Sequence, residues 1–347
     1  MNILITGGAG FIGCNTAEHF ARQGAIVTIL DNLSRKGSTL NLDYLQDKFP
    51  GFLKFRHGDM RNWYEVSETL RENSFDYIFH FAAQVAVTTS LISPREDFDV
   101  NAKGTLNLLE AIRLFQPETI VVFTSTNKVY GNLEHNAISE VNGRYEFRDF
   151  PDGIAEDAAL DFHSPYGCSK GVADQMVRDY YRIYGIKTLV FRQSCIYGYR
   201  QFGVEDQGWL AWFTIAAVFG LPITIYGDGK QYRDVLFIDD LLSAFDKAIL
   251  NIDAIAGRIY NIGGAGFGIC LLEATKLIER YSGKKIRLVF GKRRPGDQPV
   301  YISNCGKARR EFGWKPDTSA EEGLKKLFDW VDANKSLIAK AGIMEGS

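Results

Sequence analysis

Cysteine is scarce in this chain of 347 residues, and the few cysteines form no pattern. No Cys-x-x-Cys pair occurs among them, and they stand far apart: Cys14, Cys168, Cys195, Cys270 and Cys305. Such spacing argues against a zinc site and against a disulfide framework. Because no cluster of ligands surrounds His57, His80 or His163, we predict no metal site and expect these histidines to be structural. A reducing, cytoplasmic location is expected.

A surplus of charge of either sign is also absent. With 40 basic and 42 acidic residues the formal net charge is −2, so the chain lacks the basic surface that nucleic acid or an anionic membrane requires. Any anion that it binds must be held by local groups. The expected partner is therefore a small molecule.

A long, uninterrupted apolar run is missing as well. The nearest candidate, residues 208–227, is uncharged but contains Gly220 and Pro222. Proline cannot continue a helix, and no basic flank marks a membrane-spanning segment. We predict a buried helix over Trp209–Phe219 followed by a short strand. The first residues already form a strand that enters a glycine loop, so neither export nor a membrane span is expected.

What the sequence does contain is a series of short, β-branched runs with helical patterns between them. The runs are NILIT, IVTIL, FLKF, YIFHF, TIVVFTS and KTLVFR, and GRIYNIGG is a later one. This alternation predicts a doubly wound, Rossmann-like α/β fold, in which a parallel sheet is covered by helices on both faces.

The order becomes irregular after about residue 195, with helices predicted near residues 239–250, 271–281 and 320–333. We therefore predict two domains. The larger comprises residues 1–192 plus about 236–262, and the smaller, a mixed α/β substrate-binding cap, comprises about 193–235 plus 263–340.

Residues 132–163 form a long polar segment with no clear period. A loop of this length inside a compact domain is usually functional or disordered. Its aromatic side chains Tyr145, Phe147, Phe150 and Phe162 favour an ordered flap over the active site.

The first strand leads into the glycine loop TGGAGFIG, which places Gly7, Gly10 and Gly13 at a strand-to-helix turn. Glycines there permit a tight turn and a close approach to a pyrophosphate at the helix N-terminus. Asp31 ends the next strand, where a carboxylate accepts hydrogen bonds from a ribose 2′-hydroxyl and repels a 2′-phosphate. Although Arg35 lies nearby, this arrangement predicts NAD as the cofactor.

The segment SPYGCSKG carries a candidate catalytic pair, Tyr166 and Lys170. Ser164 suits a helix N-cap and Pro165 a first helical position, so the pair lies on one face of a helix, one turn apart. A tyrosine with a pKa of about 10 can act as a base near neutrality if two cations lower that pKa by ~1–3 units each. The ammonium group and an oxidised nicotinamide are the two cations.

In this order, TGGAGFIG, FTSTNKVYG and SPYGCSK resemble the extended short-chain dehydrogenase/reductases, a family of nucleotide-sugar epimerases and dehydratases. The resemblance implies Thr126 beside the reacting alcohol, Tyr166 as the base and Lys170 as its electrostatic partner. The cofactor contacts that it implies are Gly7, Gly10, Phe11, Ile12, Gly13, Asp31, Asn32, Ser34, Arg35, Asp59, Met60, Phe81, Ala82, Ala83, Asn101, Thr124, Tyr166 and Lys170. The substrate contacts are Ser125, Thr126, Asn127, Lys128, Gln193, Ser194, Arg233 and Arg294, the two arginines as clamps on a diphosphate.

Two departures from family patterns narrow the expected reaction. The 4,6-dehydratases of this family carry an acid directly after the catalytic threonine, whereas this chain has Asn127 and Lys128, which disfavours dehydration. The UDP-galactose 4-epimerases carry an asparagine near the position of Gln193 and Ser194, which makes a UDP-hexose doubtful.

The combined segments TSTNKVYG, SPYGCSKGVADQ and FRQSCIYG resemble most the CDP-tyvelose 2-epimerases. That resemblance implies a CDP-linked dideoxyhexose as substrate, epimerisation at C2, tightly bound NAD and a place in lipopolysaccharide O-antigen biosynthesis. It also implies a homodimer or homotetramer. A 4-epimerase or reductase of another nucleotide sugar remains the alternative.

Overall fold

The computed structural model describes residues 1–294 and 297–344. Its chain divides into two compact units. The first unit consists of Met1–Val129, Ser164–Arg192 and Ala248–Tyr260, and the second consists of Tyr130–His163, Gln193–Lys247 and the chain from Asn261 onward. The predicted larger domain included residues 130–163, which lie in the second unit, and extended over 236–262, of which 248–260 lie in the first.

The strands of the described residues follow in chain order. They are β1 (Asn2–Thr6), β2 (Ile26–Asp31), β3 (Leu53–His57), β4 (Tyr77–His80), β5 (Ile120–Thr126), β6 (Ile138–Val141), β7 (Arg144–Phe147), β8 (Thr188–Gln193), β9 (Cys195–Tyr197), β10 (Ile223–Tyr226), β11 (Tyr232–Phe237), β12 (Ile259–Ile262), β13 (Gly268–Cys270), β14 (Leu288–Gly291) and β15 (Val300–Tyr301).

The helices alternate with these strands through most of the chain. They are α1 (Phe11–Arg22), α2 (Ser38–Lys48), α3 (Trp63–Glu72), α4 (Val87–Ile92), α5 (Pro94–Phe98), α6 (Gly104–Phe115), α7 (Ser164–Tyr184), α8 (Trp209–Phe219), α9 (Ile238–Leu250), α10 (Ile252–Ile255), α11 (Leu271–Ser282), α12 (Gly306–Phe312), α13 (Ala320–Ala333) and α14 (Lys335–Lys340). A π-helical turn, Asp99–Lys103, joins α5 to α6, and a 3₁₀ turn, Asn127–Tyr130, follows β5.

The first unit is built on a seven-stranded sheet with the order β12-β8-β5-β4-β1-β2-β3. Strands β1 and β2 pair in parallel, as do β1 and β4, β4 and β5, and β2 and β3. Strands such as β1 and β5 are apolar and buried on both faces, as a sheet covered by helices on each side requires. The predicted Rossmann-like doubly wound sheet is confirmed.

The carboxyl ends of these parallel strands meet at one edge of the sheet, which is where ligands bind in such folds. Thr6, Asp31, His80 and Thr126 are the last residues of β1, β2, β4 and β5. Each predicted contact that follows one of these strands therefore lies at the same edge of the first unit.

The second unit contains smaller sheets. Strand β11 pairs in antiparallel fashion with β13 and in parallel with β15 and β9, and β10 pairs in parallel with β14. The predicted helix over Trp209–Phe219 and the strand after it are confirmed as α8 and β10. Over the described part of the chain, no helix combines the length and apolar character needed to cross a membrane.

The polar segment 132–163 contains a hairpin, β6–β7, that the sequence analysis did not find. Val141 pairs with Arg144, so Asn142 and Gly143 form a two-residue turn, both with positive φ (52° and 82°). Asn-Gly between two short strands is a strong hairpin signal, because both residues tolerate that conformation. The hairpin docks within the second unit through Tyr145 N–H, which donates to Lys230 O at 3.0 Å. The segment thus contains regular structure, and the ordered flap over the active site stays a prediction.

Candidate active site

The glycine loop between β1 and α1 leaves no room for side chains at two of its positions. Gly7 has a φ of +69°, and a Cβ added there would stand 2.7 Å from Ala82 N. A Cβ at Gly13 would stand 2.3 Å from Gly7 O. The Cα atoms must therefore be bare for the turn to close and for α1 to pack on it.

The N-terminus of α1 has no side-chain cap, because its N-cap residue is Gly10. The N–H groups at a helix start have no partners within the helix, and with the helix dipole they favour an anion. This turn can therefore hold a pyrophosphate.

Asp31 ends β2 beside the loop. Its carboxylate accepts hydrogen bonds from Ala9 N–H (3.0 Å) and Leu33 N–H (2.8 Å), which fix its orientation. Burial raises the pKa of Asp31 above its ordinary value, and these backbone hydrogen bonds oppose the increase. The remaining acceptor capacity suits a ribose hydroxyl.

The structure places the other predicted cofactor contacts at the ends of neighbouring elements: Phe11 and Ile12 at the start of α1; Asn32, Ser34 and Arg35 after β2; Asp59 and Met60 after β3; Phe81, Ala82 and Ala83 after β4; and Thr124 near the end of β5. Asn32 Nδ2 donates a hydrogen bond to Asp59 Oδ2 (2.9 Å). A hydrogen bond from Arg61 lowers the pKa of Asp59 to about 2.

Asn101 lies in the π-helical turn, and its side chain is buried. Its amide group accepts from Gln84 N–H (2.9 Å) and donates to Gln84 O (3.1 Å) and Ser169 Oγ (3.0 Å). Within the protein it thus ties the loop after β4 to α7. A direct cofactor contact by Asn101 stays a prediction.

Helix α7 carries the predicted catalytic pair as expected, in its first two turns. Ser164 Oγ accepts a hydrogen bond from Gly167 N–H (3.2 Å), which is an N-cap interaction. Tyr166 and Lys170 are both buried. Lys170 Nζ donates to Thr124 O (2.7 Å) and lies 4.3 Å from the centroid of the Phe123 ring, so it is anchored to β5.

Strand β5 ends in the hydroxyl-bearing residues that the sequence indicated. Thr126 is buried; its Oγ1 donates to Asn127 Oδ1 (3.3 Å) and accepts from Lys128 N–H (3.2 Å). Ser125 Oγ donates to Asp174 Oδ2 on α7 (2.6 Å), and its predicted contact with the substrate stays a prediction. This hydrogen bond links β5 to α7, the helix that carries Tyr166 and Lys170.

A buried ion pair links α7 to β8. Arg192 on β8 donates from Nε to Asp174 Oδ2 and from Nη2 to Asp174 Oδ1, each at 3.0 Å. The two side chains are 2% and 0% exposed. The sequence analysis missed both residues, although Asp174 stands four positions after Lys170, a spacing that puts it one turn further along the same helix face.

The predicted substrate contacts of the second unit form separate groups. Arg233 on β11 donates to Gln298 O and to Asp297 Oδ1, both at 2.6 Å. Arg294 pairs with Asp206 (2.9 Å) and stacks 3.8 Å from the centroid of the Tyr226 ring. Both guanidinium groups are thus held in defined orientations by carboxylates.

Gln193 ends β8, and Ser194 follows it as the chain enters the second unit. Gln193 Nε2 is buried with no hydrogen-bond partner among the described residues. Asp234 on β11 lies near Ser194, and burial raises the pKa of Asp234 to about 6. An unpartnered buried amide is costly, so Gln193 has a donor free for a ligand.

A glycine loop on a parallel sheet, an acid after the second strand, and a tyrosine and lysine one helical turn apart define a Rossmann-fold enzyme of the tyrosine–lysine type. Residues 4–327 match the family described as GDP-mannose 4,6 dehydratase. The CDP-paratose 2-epimerase of Salmonella typhi is 44% identical over 96% of this chain and 100% of its own.

Solved structures agree. The UDP-glucose 4-epimerase of Thermotoga maritima, determined with UDP-glucose, is 30% identical with a TM-score of 0.83 over 97% of this chain and 100% of its own. The UDP-glucose 4-epimerase of Thermus thermophilus, in complex with NAD, is 29% identical with a TM-score of 0.80 over 95% and 98%. The chain belongs to this short-chain dehydrogenase/reductase family of nucleotide-sugar epimerases and dehydratases.

Proposed function

We propose that this protein is an NAD-dependent epimerase that inverts C2 of a CDP-linked dideoxyhexose, interconverting CDP-paratose and CDP-tyvelose. The single observation that favours epimerisation over dehydration is the identity of the two residues that follow β5. Thr126 is followed by Asn127 and Lys128, and neither supplies the carboxyl group that shuttles protons as the hydroxyl leaves in the dehydratases. The full-length similarity to a CDP-paratose 2-epimerase supports the choice of C2 and of cytidine.

The first unit fits NAD. The bare turn at Gly7 and Gly13, the uncapped start of α1 at Gly10 and the carboxylate of Asp31 match the pyrophosphate and ribose of a dinucleotide without a 2′-phosphate. When bound, NAD accepts a hydride from the sugar and returns it.

Side chains of the protein carry out the proton transfer. Tyr166 removes it from the C2 hydroxyl as a 2-keto sugar forms, and Thr126 holds that oxygen by a hydrogen bond. Lys170, anchored on Thr124 O, supplies the positive charge that favours the phenolate of Tyr166. The keto sugar turns over within the site, and Tyr166 gives the proton back after hydride returns to the opposite face.

The second unit anchors the nucleotide in this proposal. Arg233 and Arg294 are presented by Asp297 and Asp206, and a planar guanidinium suits a diphosphate. Anchoring the diphosphate while the sugar is free to rotate allows both faces of C2 to meet the same cofactor. Ser125, Asn127, Lys128, Gln193 and Ser194 complete the proposed set of substrate contacts.

We also propose a homodimer or homotetramer in a reducing, cytoplasmic environment, where the product would enter lipopolysaccharide O-antigen biosynthesis. We place the subunit interface on the sheet-flanking helices α6 and α7, which expose Leu114 (50%) and Ile183 (65%). Light scattering on the purified protein measures the assembly state.

The proposal is tested by proton NMR in D₂O with purified protein and no added cofactor. CDP-tyvelose, CDP-paratose and UDP-galactose are supplied in separate tubes. Conversion of only the CDP sugars, with hydrogen retained at C2, is the expected result, because the hydride never leaves the site. Conversion of UDP-galactose alone would place the chemistry at C4, and deuterium at C2 would replace hydride transfer by deprotonation at carbon.

Tyr166→Phe is the matched variant for this assay. It removes one oxygen, and we expect turnover to fall by about 10³-fold or more while NAD stays bound. A loss below about tenfold would contradict the role of Tyr166 as the base.

A further inference from the structure

One buried carboxylate near the catalytic helix has no part in the reaction as proposed above. Asp97 on α5 is 0% exposed. Its oxygens accept hydrogen bonds from Gln84 Nε2 (3.0 Å), from Asn101 Nδ2 (3.3 Å) and, in a short contact, from Ser169 Oγ. All three donors are neutral, so these hydrogen bonds leave the negative charge of Asp97 without compensation.

The other buried carboxylate of this region, Asp174, is compensated differently. Arg192 binds both of its oxygens, and the pair is neutral as a whole. Ser169, which donates to Asp97, directly precedes Lys170 on α7. Burial raises the pKa of Asp97, and the positive charge of Lys170, which is also buried, opposes that increase. A buried charge is tolerated when an opposite charge lies near it. The region therefore balances two carboxylates, Asp97 and Asp174, against two cations, Lys170 and Arg192.

Among the described residues, the remaining groups that face Lys170 carry no charge. His80 on β4 is bonded to Thr6 Oγ1 (2.6 Å) and Thr105 Oγ1 (2.9 Å), and burial together with the Lys170 charge lowers the pKa of His80 to about 3. On β5, Phe123 offers its ring and Thr124 its carbonyl oxygen. The two aspartates are thus the anions that act on Lys170.

We propose that Asp97 is a positioning residue that keeps the Lys170 ammonium protonated and thereby keeps Tyr166 able to act as a base. This inference rests on the proposed function only for the role of Tyr166. Burial lowers the pKa of Lys170 to about 7, and Asp174 and Asp97 oppose that decrease. Without Asp97, Lys170 loses its proton at a lower pH, and the phenolate of Tyr166 loses the cation that stabilises it.

The test titrates Tyr166 directly. Phenolate absorbance is followed against pH in the NAD-bound wild-type protein and in Asp97→Asn, with the matching Tyr166→Phe protein subtracted in each background. We expect the pKa of Tyr166 to be about one unit higher in Asp97→Asn. Ser169→Ala is the control, because it removes a hydrogen bond to Asp97 but keeps the charge, and its titration should match the wild type.

An unchanged titration in Asp97→Asn would overturn the proposal, and so would a shift of equal size in Ser169→Ala, which would assign the effect to hydrogen bonding.

A second measurement covers an Asp97→Asn protein that does not fold. If the two charges compensate each other, adding Lys170→Met to Asp97→Asn should restore stability, whereas additive losses in urea unfolding would refute the pairing. Neither measurement uses a sugar, so both remain valid if the proposed substrate is wrong.

Discussion

Replacing Arg192 with methionine should destabilise the first unit strongly, because it removes the cation from a buried ion pair. Asp174 would keep its hydrogen bonds from Ser125 (2.6 Å) and Gln175 (2.7 Å) but lose both 3.0 Å bonds from the guanidinium group. With the carboxylate 0% exposed, water cannot replace them. Breaking a pair of this kind from one side costs about 3–5 kcal/mol.

The same reasoning predicts recovery when both charges are removed. In Arg192→Met combined with Asp174→Asn, the new amide oxygen can still accept the hydrogen bond from Ser125, and no buried charge remains. Replacing a whole buried ion pair is often nearly neutral, so the double variant should lie within about 1–2 kcal/mol of the wild type. The coupling energy between the two positions should therefore be several kcal/mol, far above the ~0.5 kcal/mol typical of independent sites.

Urea unfolding, followed by circular dichroism and by hydrogen exchange of the β8 amides, measures both quantities. Lys325→Met is the matched control, because Lys325 forms an exposed pair with Asp329 four residues away on α13. Such a surface pair contributes only ~0.3–0.5 kcal/mol. A loss below about 1 kcal/mol in Arg192→Met, or a double variant as unstable as that single one, would refute the view that Arg192 compensates Asp174.

Two further predictions concern the ligands. Gly10→Ala should fold with at most a small loss of stability, since its φ of −71° suits alanine and its Cβ would meet only Gly7 O, at a tight 3.2 Å. It should bind NAD at least about tenfold more weakly, whereas Gly13→Ala should also lower the melting temperature. Calorimetry and thermal unfolding separate the two effects, and full NAD occupancy in Gly10→Ala would contradict the pyrophosphate role of this turn. Arg233→Lys should raise KM for the nucleotide sugar about tenfold with little change in kcat, because the charge stays but the two-pronged contact is lost. Arg309→Lys, exposed on α12, is the control, and equal constants in both variants would argue against the clamp.

Most of the fold could be predicted because its signals are local. Apart from β3, the strands of the parallel sheet are largely apolar runs. Helix α8 has the predicted bounds, Trp209–Phe219, because Gly220 and Pro222 end it. The hairpin β6–β7 was missed because its strands are polar and only half-buried, so apolar alternation is weak there. Its Asn142-Gly143 turn was nevertheless a usable signal.

Some residues of the candidate site could be predicted from local spacing in the sequence, and others could not. The glycine loop, Asp31, Thr126, Tyr166 and Lys170 could be proposed from the sequence because each stands at a fixed offset from the end of a strand or the start of a helix. Asp97, Asp174 and Arg192 were not found, because they act on that site from three separate elements, and their pairing depends on how those elements pack.

The sequence by itself determined the type of enzyme. Spacing along one strand or one helix turn fixes the cofactor loop and the Tyr166–Lys170 pair, and these local distances hold wherever the elements lie. Only the tertiary structure decided how the charges are balanced. Asp97, Asp174, Lys170 and Arg192 are all buried, and a buried anion is tolerated only near a cation. The packing of α5, α7 and β8 therefore determines which of these charges compensate one another.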